Sequence, residues 1–158
     1  MANKNDSIKI SQTSTMPKNN STKLSDISQI NRNIFEQILE LLKPYSKKLD
    51  VRNNTTFRYE LWTNHGFRSR SMHPTNKKGF LFAGVLVLKK QIGFYFYPLH
   101  INVGFNSRID SGILPLWRGG SAFHICEPLS TLELDMFRLL LLSGWNFYVE
   151  MGWVPREK

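Results

Sequence analysis

The chain has 158 residues, of which 41% are apolar and 13% aromatic, enough to bury one core of ordinary domain size but not two. Its 21 Lys and Arg against 12 Asp and Glu give a formal charge of +9, which attracts anionic partners. A lone Cys126 excludes an internal disulfide, and no apolar run approaches the ~20 residues that span a bilayer. These features predict a cytoplasmic domain with no membrane partner.

The N-terminal stretch differs in composition from the rest of the chain. Residues 1–28 are rich in Asn, Ser, Thr and Lys, and their few apolar residues follow no period. Because so little apolar surface cannot offset the entropy lost on ordering, this stretch is predicted to be a disordered polar arm. Residues 29–158 are then predicted to form a single domain.

The first regular elements follow the arm. Apolar residues at three- and four-residue spacing predict a helix from Gln29 to about Lys43: Ile30, Ile34, Ile38, Leu41 and Leu42. Pro44 should end or kink it. Within residues 55–62, Phe57, Tyr59 and Leu61 alternate with Arg58, Glu60 and Trp62. This alternation predicts a half-buried strand with the first set on one face and the second set on the other.

The middle of the chain contains a loop and a hairpin. Residues 63–78 are polar, basic and without a period, and are predicted to be a loop. Residues 80–88 are almost continuously apolar, as in a central strand, and residues 92–97 alternate again. The short Lys89-Lys90-Gln91 connection predicts that these two strands form a hairpin ended by Pro98.

The last third is predicted to contain a short helix, a strand and a long helix. Ile109, Ile113, Leu114 and Leu116 favour a short helix within residues 99–116. Gly119 and Gly120 form a turn, after which residues 121–126 alternate as a strand. Ser130 and Glu133 have the spacing of a capping box, which begins a helix of about twenty residues. Leu139 and Leu142 widen its apolar stripe, so this helix should contact more than the sheet.

The order of these elements predicts the fold class. Mostly short connections between strands favour an antiparallel sheet of four to six strands, and the N- and C-terminal helices should pack on one face of it. The chain is therefore predicted to be an α+β domain whose other sheet face is open.

Three segments resemble the YdhG-like family of small bacterial domains. They are Ile92–Pro98 (IGFYFYP), Gly119–Ile125 (GGSAFHI) and Glu127–Ser130 (EPLS), within a match over roughly residues 45–153. The resemblance implies a frataxin-like sandwich of helices on an antiparallel sheet. One relative has been treated as an iron chaperone, so the resemblance also implies metal handling as an alternative function. Gly120 replaces a basic residue that relatives often have in the turn, and Arg118 is the nearest cation.

Alternation sends one group of side chains to the face opposite the core. These are Arg58, Glu60, Trp62, Tyr95, Tyr97 and either Ser121 or His124, with Arg118 in the adjoining turn. Aromatic rings and a cation on an open sheet can hold a planar or anionic ligand by stacking and charge-assisted hydrogen bonds. The same residues are also good strand formers that cover a second face without binding anything. We expect a non-enzymatic domain that binds a small anionic molecule or a protein partner here.

The residue pattern also bears on three other kinds of site. Between Arg58 and Arg118 lie nine cations and two acidic residues, a net +7, so nucleic-acid binding is an alternative. His65, His73, His100 and His124 show no metal-ligand spacing, so neither a metal nor another cofactor is predicted. Cys126 lies two strand positions from His124, roughly 7 Å away, and is predicted to be a buried or half-buried structural thiol.

Overall fold

The computed structural model describes residues 27–64 and 79–156. Three α-helices are present in these ranges: α1 (Gln29–Leu42), α2 (Pro98–Ile101) and α3 (Thr131–Glu150). Five strands form one antiparallel sheet in the order β1-β2-β3-β4-β5: β1 (Asp50–Arg52), β2 (Arg58–Trp62), β3 (Leu81–Val87), β4 (Ile92–Phe96) and β5 (Ala122–Ile125). The predicted α+β class is confirmed. The predicted arm, apart from its last two residues, and residues 65–78 of the predicted loop lie outside the described residues.

The two long helices begin at the side-chain caps that their sequences indicate. The Ser28 hydroxyl accepts from the Asn31 N–H at 3.1 Å at the start of α1. At the start of α3 the Ser130 hydroxyl accepts from the Glu133 N–H at 3.1 Å, and the Glu133 carboxylate accepts from the Ser130 N–H at 3.0 Å. The predicted capping box is therefore confirmed, and α3 runs for the predicted twenty residues.

Both long helices pack on the same face of the sheet, where they form the main core. Phe137 of α3 contacts Phe94 and Phe123, with ring centroids 5.5 and 5.2 Å apart. Ile34 and Ile38 of α1 are fully buried in the same cluster. Central strands are buried on both faces, so β3 has no exposed residue. The predicted placement of the helices on one face is correct.

The connection between β2 and β3 is held closed at its base. The Thr63 N–H donates to the Phe80 carbonyl at 2.8 Å, and the Thr63 hydroxyl accepts from the Phe80 N–H at 2.7 Å. Gly79 has φ +80°, and a Cβ there would lie 2.3 Å from the Thr63 carbonyl oxygen. Glycine is required at this position because it alone tolerates both the backbone angle and the contact.

Two parts of the predicted secondary structure are wrong. Strand β1 was missed, because three residues are too few to show alternation. The short helix predicted within residues 99–116 is replaced by α2 and two 3₁₀ turns, Val103–Arg108 and Leu114–Leu116. Asn102 and Asp110 side chains accept from the N–H groups of Gly104 and Gly112, at 3.0 and 2.9 Å, and such local bonds compete with a continuous helix.

None of the helices within the described ranges combines the length and the apolar character needed to cross a bilayer.

Candidate functional site

The back face of the sheet, opposite α1 and α3, carries the residues predicted to form a site. Strand register places them in two rows that cross the sheet. One row is Arg58, Leu86, Gly93 and His124, and the next is Glu60, Gly84, Tyr95 and Ala122. Arg58 and His124 therefore lie at opposite ends of one row. The apolar side chains Leu81, Leu86 and Tyr95 form a small cluster separate from the main core, and Trp62, Leu88, Tyr97 and Ala122 pack against it.

Glu60 is the centre of a hydrogen-bonded cluster at the β1–β2 end of the back face. Its carboxylate accepts from the Trp62 indole N–H at 2.9 Å, from the Asn53 amide at 3.1 Å, and from the Arg58 guanidinium. Arg52 lies over the Trp62 ring, 4.7 Å from its centroid. Because Glu60 is only 2% exposed and satisfied by three donors, it stabilises this end of the sheet rather than offering a ligand an acceptor.

The back face is less open than the sequence predicts. Glu60, Leu86 and Tyr95 on β2, β3 and β4 are 2%, 0% and 8% exposed, so the prediction of an open face is wrong at these residues. The other predicted residues on strands or in the turn before β5 are half-buried: Arg58, Trp62, Tyr97, Ser121 and His124. Arg118 is exposed. The accessible part of the predicted set therefore lies along the edges of the back face.

Tyr95 is buried because its ring lies flat along β4. A Cβ on Gly93 would lie 2.8 Å from Tyr95 Cε2 and 3.1 Å from the Tyr95 hydroxyl oxygen, so the ring occupies the space that a side chain at Gly93 would take. Burial raises the pKa of the Tyr95 hydroxyl above its ordinary value, and the Arg58 guanidinium partly opposes this rise. The hydroxyl therefore stays protonated at neutral pH.

A polar cluster joins β4 and β5 at the other end of the back face. The Gln91 amide nitrogen lies 3.1 Å from His124 Nδ1, and its amide oxygen accepts from the Cys126 thiol at 3.5 Å. Because an amide nitrogen can only donate, Nδ1 is the acceptor, and the neutral imidazole carries its proton on Nε2. Cys126 is exposed, so its prediction as a buried or half-buried thiol is wrong; it lies one residue beyond the end of β5.

Arg118 is placed beside this cluster by the turn that precedes β5. Gly119 and Gly120 adopt φ +88° and +55°, which reverses the chain, and the Arg118 N–H donates to the Ala122 carbonyl at 2.8 Å. The Arg118 guanidinium donates to the Pro115 carbonyl at 2.8 Å. Burial lowers the pKa of His124 below its ordinary value, and the positive field of Arg118 lowers it further.

Metal ligands do not converge among the described residues. No group of three or more His, Cys, Asp or Glu side chains in residues 27–64 and 79–156 could hold a metal ion. Glu60 and His124 lie on β2 and β5 with two strands between them, so their backbones are separated by roughly 14 Å. His100 stacks on Tyr97 at 5.1 Å, while His65 and His73 lie outside the described residues.

Sequence reasoning missed Gln91, Asn53 and Arg52. Gln91 ends a short polar turn, and Asn53 precedes a strand, so neither has the alternation that marked the predicted residues. Arg52 belongs to the strand that was missed. Of these three, only Gln91 has a sequence signal, since it immediately precedes β4, the strand that carries Tyr95.

Comparison of the chain with protein-family models, with curated proteins and with solved structures finds no match in any of the three. The resemblance to the YdhG-like family therefore stays a prediction.

Proposed function

We propose that this chain is a non-enzymatic binding domain that holds a small anion at the β4–β5 end of the back face. The observation that carries the proposal is that Arg118 lies beside β5, where its N–H donates to the Ala122 carbonyl, and that His124, two residues further along β5, contacts Gln91. A guanidinium and an imidazole that lie in one another's field repel when both are charged. An anion bound between them converts that repulsion into two charge-assisted hydrogen bonds.

The ring of Tyr95 supplies the second part of the proposed site. It lies over Gly93, which is paired with His124 on the neighbouring strand. Only 8% of Tyr95 is exposed, so its ring offers little surface on which a ligand could stack. This arrangement favours a compact anion, such as sulfate, phosphate or a small carboxylate, over a large planar ligand.

Nucleic-acid binding is the second candidate, and one observation favours it. Lys89 and Lys90 are exposed in the β3–β4 turn, directly before Gln91, and Arg118 is exposed in the turn before β5. A phosphate backbone would meet the same cations as a small anion. The two candidates differ in salt dependence, because each neutralised phosphate of a nucleic acid releases counterions and the affinity then falls steeply with salt.

A metal chaperone is the weakest candidate. The carboxylate and imidazole that would carry it, Glu60 and His124, lie too far apart to share an ion. Glu60 is also already engaged by three donors.

Thermal unfolding in sulfate and in chloride at matched ionic strength tests the anion site. We expect sulfate to raise the melting temperature more as the pH falls below the ordinary imidazole pKa of about 6.5, because His124, whose pKa is lowered, gains its proton only there. Bound sulfate should also raise the midpoint of the His124 titration, measured by NMR. Saturation at 100 times Kd would stabilise the fold by about 2.7 kcal/mol.

Two arginine variants make this measurement specific. Arg118→Gln should lose the pH-dependent part of the sulfate effect. Arg138→Gln changes another exposed arginine, on α3, and should retain it. The Arg138 variant controls for the general stabilisation that sulfate gives to folded proteins. Equal sulfate effects in both variants, with an unchanged His124 titration, would rule out the proposed site.

A further inference from the structure

The outward side of α3 carries three leucines in contact with solvent. Leu132, Leu139 and Leu142 are 65%, 66% and 49% exposed, although the helix buries a full stripe of other residues against the sheet. The sequence predicts that α3 contacts more than the sheet. Within the described chain no element covers these three leucines, so their apolar surface remains available.

These leucines belong to a heptad pattern on the side of α3 opposite the core. Leu132, Leu139 and Asn146 recur every seven residues and can be written as a positions, and Asp135, Leu142 and Val149 are then d positions. Val149, at the edge of this pattern, is half-buried and also packs against the core. The residues that α3 buries in the core lie elsewhere in the heptad: Phe137, Leu140, Leu141, Gly144, Trp145 and Tyr148. The helix therefore has a second seam of the kind used by coiled coils.

The seam is complementary to itself in one orientation. In an antiparallel pair, a residues face d residues of the second copy, so Leu139 faces Leu142 and Leu132 faces Val149. The same register sets Asp135 opposite Asn146, whose amide can donate to the carboxylate. A parallel pair would instead set Asp135 against its own copy, where two carboxylates repel.

We propose that two copies of this chain associate through α3, antiparallel, about a two-fold axis between residues 140 and 141. Each apolar position then meets an apolar position, and each polar position meets a polar one. Asp135 accepts from Arg138 of its own helix at 2.5 Å, which orients its carboxylate. The occupant of the seam is a second copy because the pattern is matched by the same pattern reversed.

The size of the seam sets the strength of this association. A twenty-residue helix is about 30 Å long and 10–12 Å wide, so each copy buries on the order of 300 Å². The two copies together bury about 600 Å², which is below the ~1,200 Å² total of a standard stable interface. We therefore expect a weak dimer that forms as the protein concentration rises.

Sedimentation velocity over a wide range of protein concentration tests the dimer. The unaltered chain should sediment faster at high concentration, and Leu139→Asp should abolish this increase. Val103→Asp adds the same charge at another exposed apolar residue, 71% exposed and outside α3, and should retain it. Circular dichroism establishes that both variants are folded. The proposal is overturned if the unaltered chain stays monomeric at every concentration. It is also overturned if both variants lose the concentration-dependent increase in sedimentation rate to the same extent.

Disulfide cross-linking tests the orientation. In a Cys126→Ser background, protein with Asp135→Cys is mixed with protein carrying Asn146→Cys under mild oxidation. The antiparallel register brings these two positions together, whereas two copies of either one lie roughly 16 Å apart along the axis, too far for a disulfide. The proposal is supported if the Asp135→Cys variant forms cross-links with the Asn146→Cys variant and neither variant cross-links to itself. Cross-links between two copies of the same variant, or the absence of any cross-link, overturn it.

Discussion

Gly144 shows how closely α3 approaches the sheet. A Cβ at this position would lie 2.2 Å from Phe96 Cζ and 3.0 Å from Pro98 Cγ, and the Phe96 ring is fully buried. The helix here passes directly over the end of β4 and the start of α2. A residue with any side chain would force these elements apart.

Substitution Gly144→Ala should therefore destabilise the protein although alanine is the better helix former. The gain in helix propensity is about 1 kcal/mol, and overpacking a rigid core costs about 1–3 kcal/mol. We expect a net loss of unfolding free energy, measured by urea denaturation. Ser143→Ala, one position away and half-buried, should be neutral or slightly stabilising. Greater stability of the Gly144 variant would show that Phe96 can move.

At the same scale, the sequence predicts which side chains share the back face but not what each one does. Period-two alternation places Arg58, Glu60 and Trp62 on one side because strand geometry requires it. It gives no sign that the Glu60 carboxylate is already satisfied, since one of its donors, Asn53, comes from a turn. Side chains that reach in from turns are the part of the site that sequence pattern does not reveal.

Among the elements, α1 and α3 are joined by one glutamine. The Gln37 amide nitrogen donates to the Leu129 carbonyl at 2.9 Å, and its oxygen accepts from the Leu129 N–H at 2.8 Å. This pair of bonds spans 92 positions in sequence and fixes α1 next to the residue that precedes the cap of α3. The side chain takes the place of a backbone partner for Leu129.

Gln37→Glu should keep one of these two hydrogen bonds and remove the other. A carboxylate still accepts from the Leu129 N–H but cannot donate to its carbonyl, and it repels that oxygen. We expect a loss of about 1–3 kcal/mol in unfolding free energy at neutral pH, because a partly buried acceptor loses its donor. Protonating the carboxylate at low pH restores a donor, so the deficit relative to the parent should shrink there. Glu36→Gln, on the exposed side of α1, provides the control.

The elements that the sequence predicts well are those with strong local signals. The capping box and the three- and four-residue spacing define both long helices, and the Lys89-Lys90-Gln91 turn defines the hairpin. In residues 99–116 the apolar spacing and the local hydrogen bonds favour different structures. There Asn102 and Asp110 bind nearby backbone groups, which interrupts the helix that the apolar spacing favours.

On the scale of the whole molecule, the two proposed binding regions face in opposite directions. The anion site lies on the back face of the sheet, and the outward seam of α3 lies beyond the helical layer on the other face. The core between them is continuous and tightly packed with aromatic rings. Sulfate binding and self-association should therefore be independent, and Leu139→Asp should leave the sulfate effect unchanged.

Burial of tyrosines gives the whole fold a defined response to alkaline pH. Burial raises the pKa of four tyrosine hydroxyls above the ordinary value of 10.0: Tyr45, Tyr59, Tyr95 and Tyr148. Above about pH 10 the unfolded chain loses these protons before the folded protein does. The stability that they contribute is therefore present in full below about pH 10 and is lost as the pH rises further.

Tyr148 should contribute most to this loss, because it is fully buried and its hydroxyl donates to the Leu81 carbonyl at 2.5 Å. Tyr148→Phe should lower the unfolding free energy at pH 8 by about 1–3 kcal/mol, since a buried carbonyl loses its donor. The same variant should lose less additional stability between about pH 10 and pH 11, because one titrating group is gone. Val85→Ala, a buried change without a titrating group, should lower stability while keeping the pH dependence of the parent. Urea denaturation at a series of pH values separates the loss of the hydrogen bond from the loss of the titrating group. If the unfolding free energy of Tyr148→Phe and of the parent falls in parallel with pH, Tyr148 ionises as readily in the folded protein as in the unfolded chain.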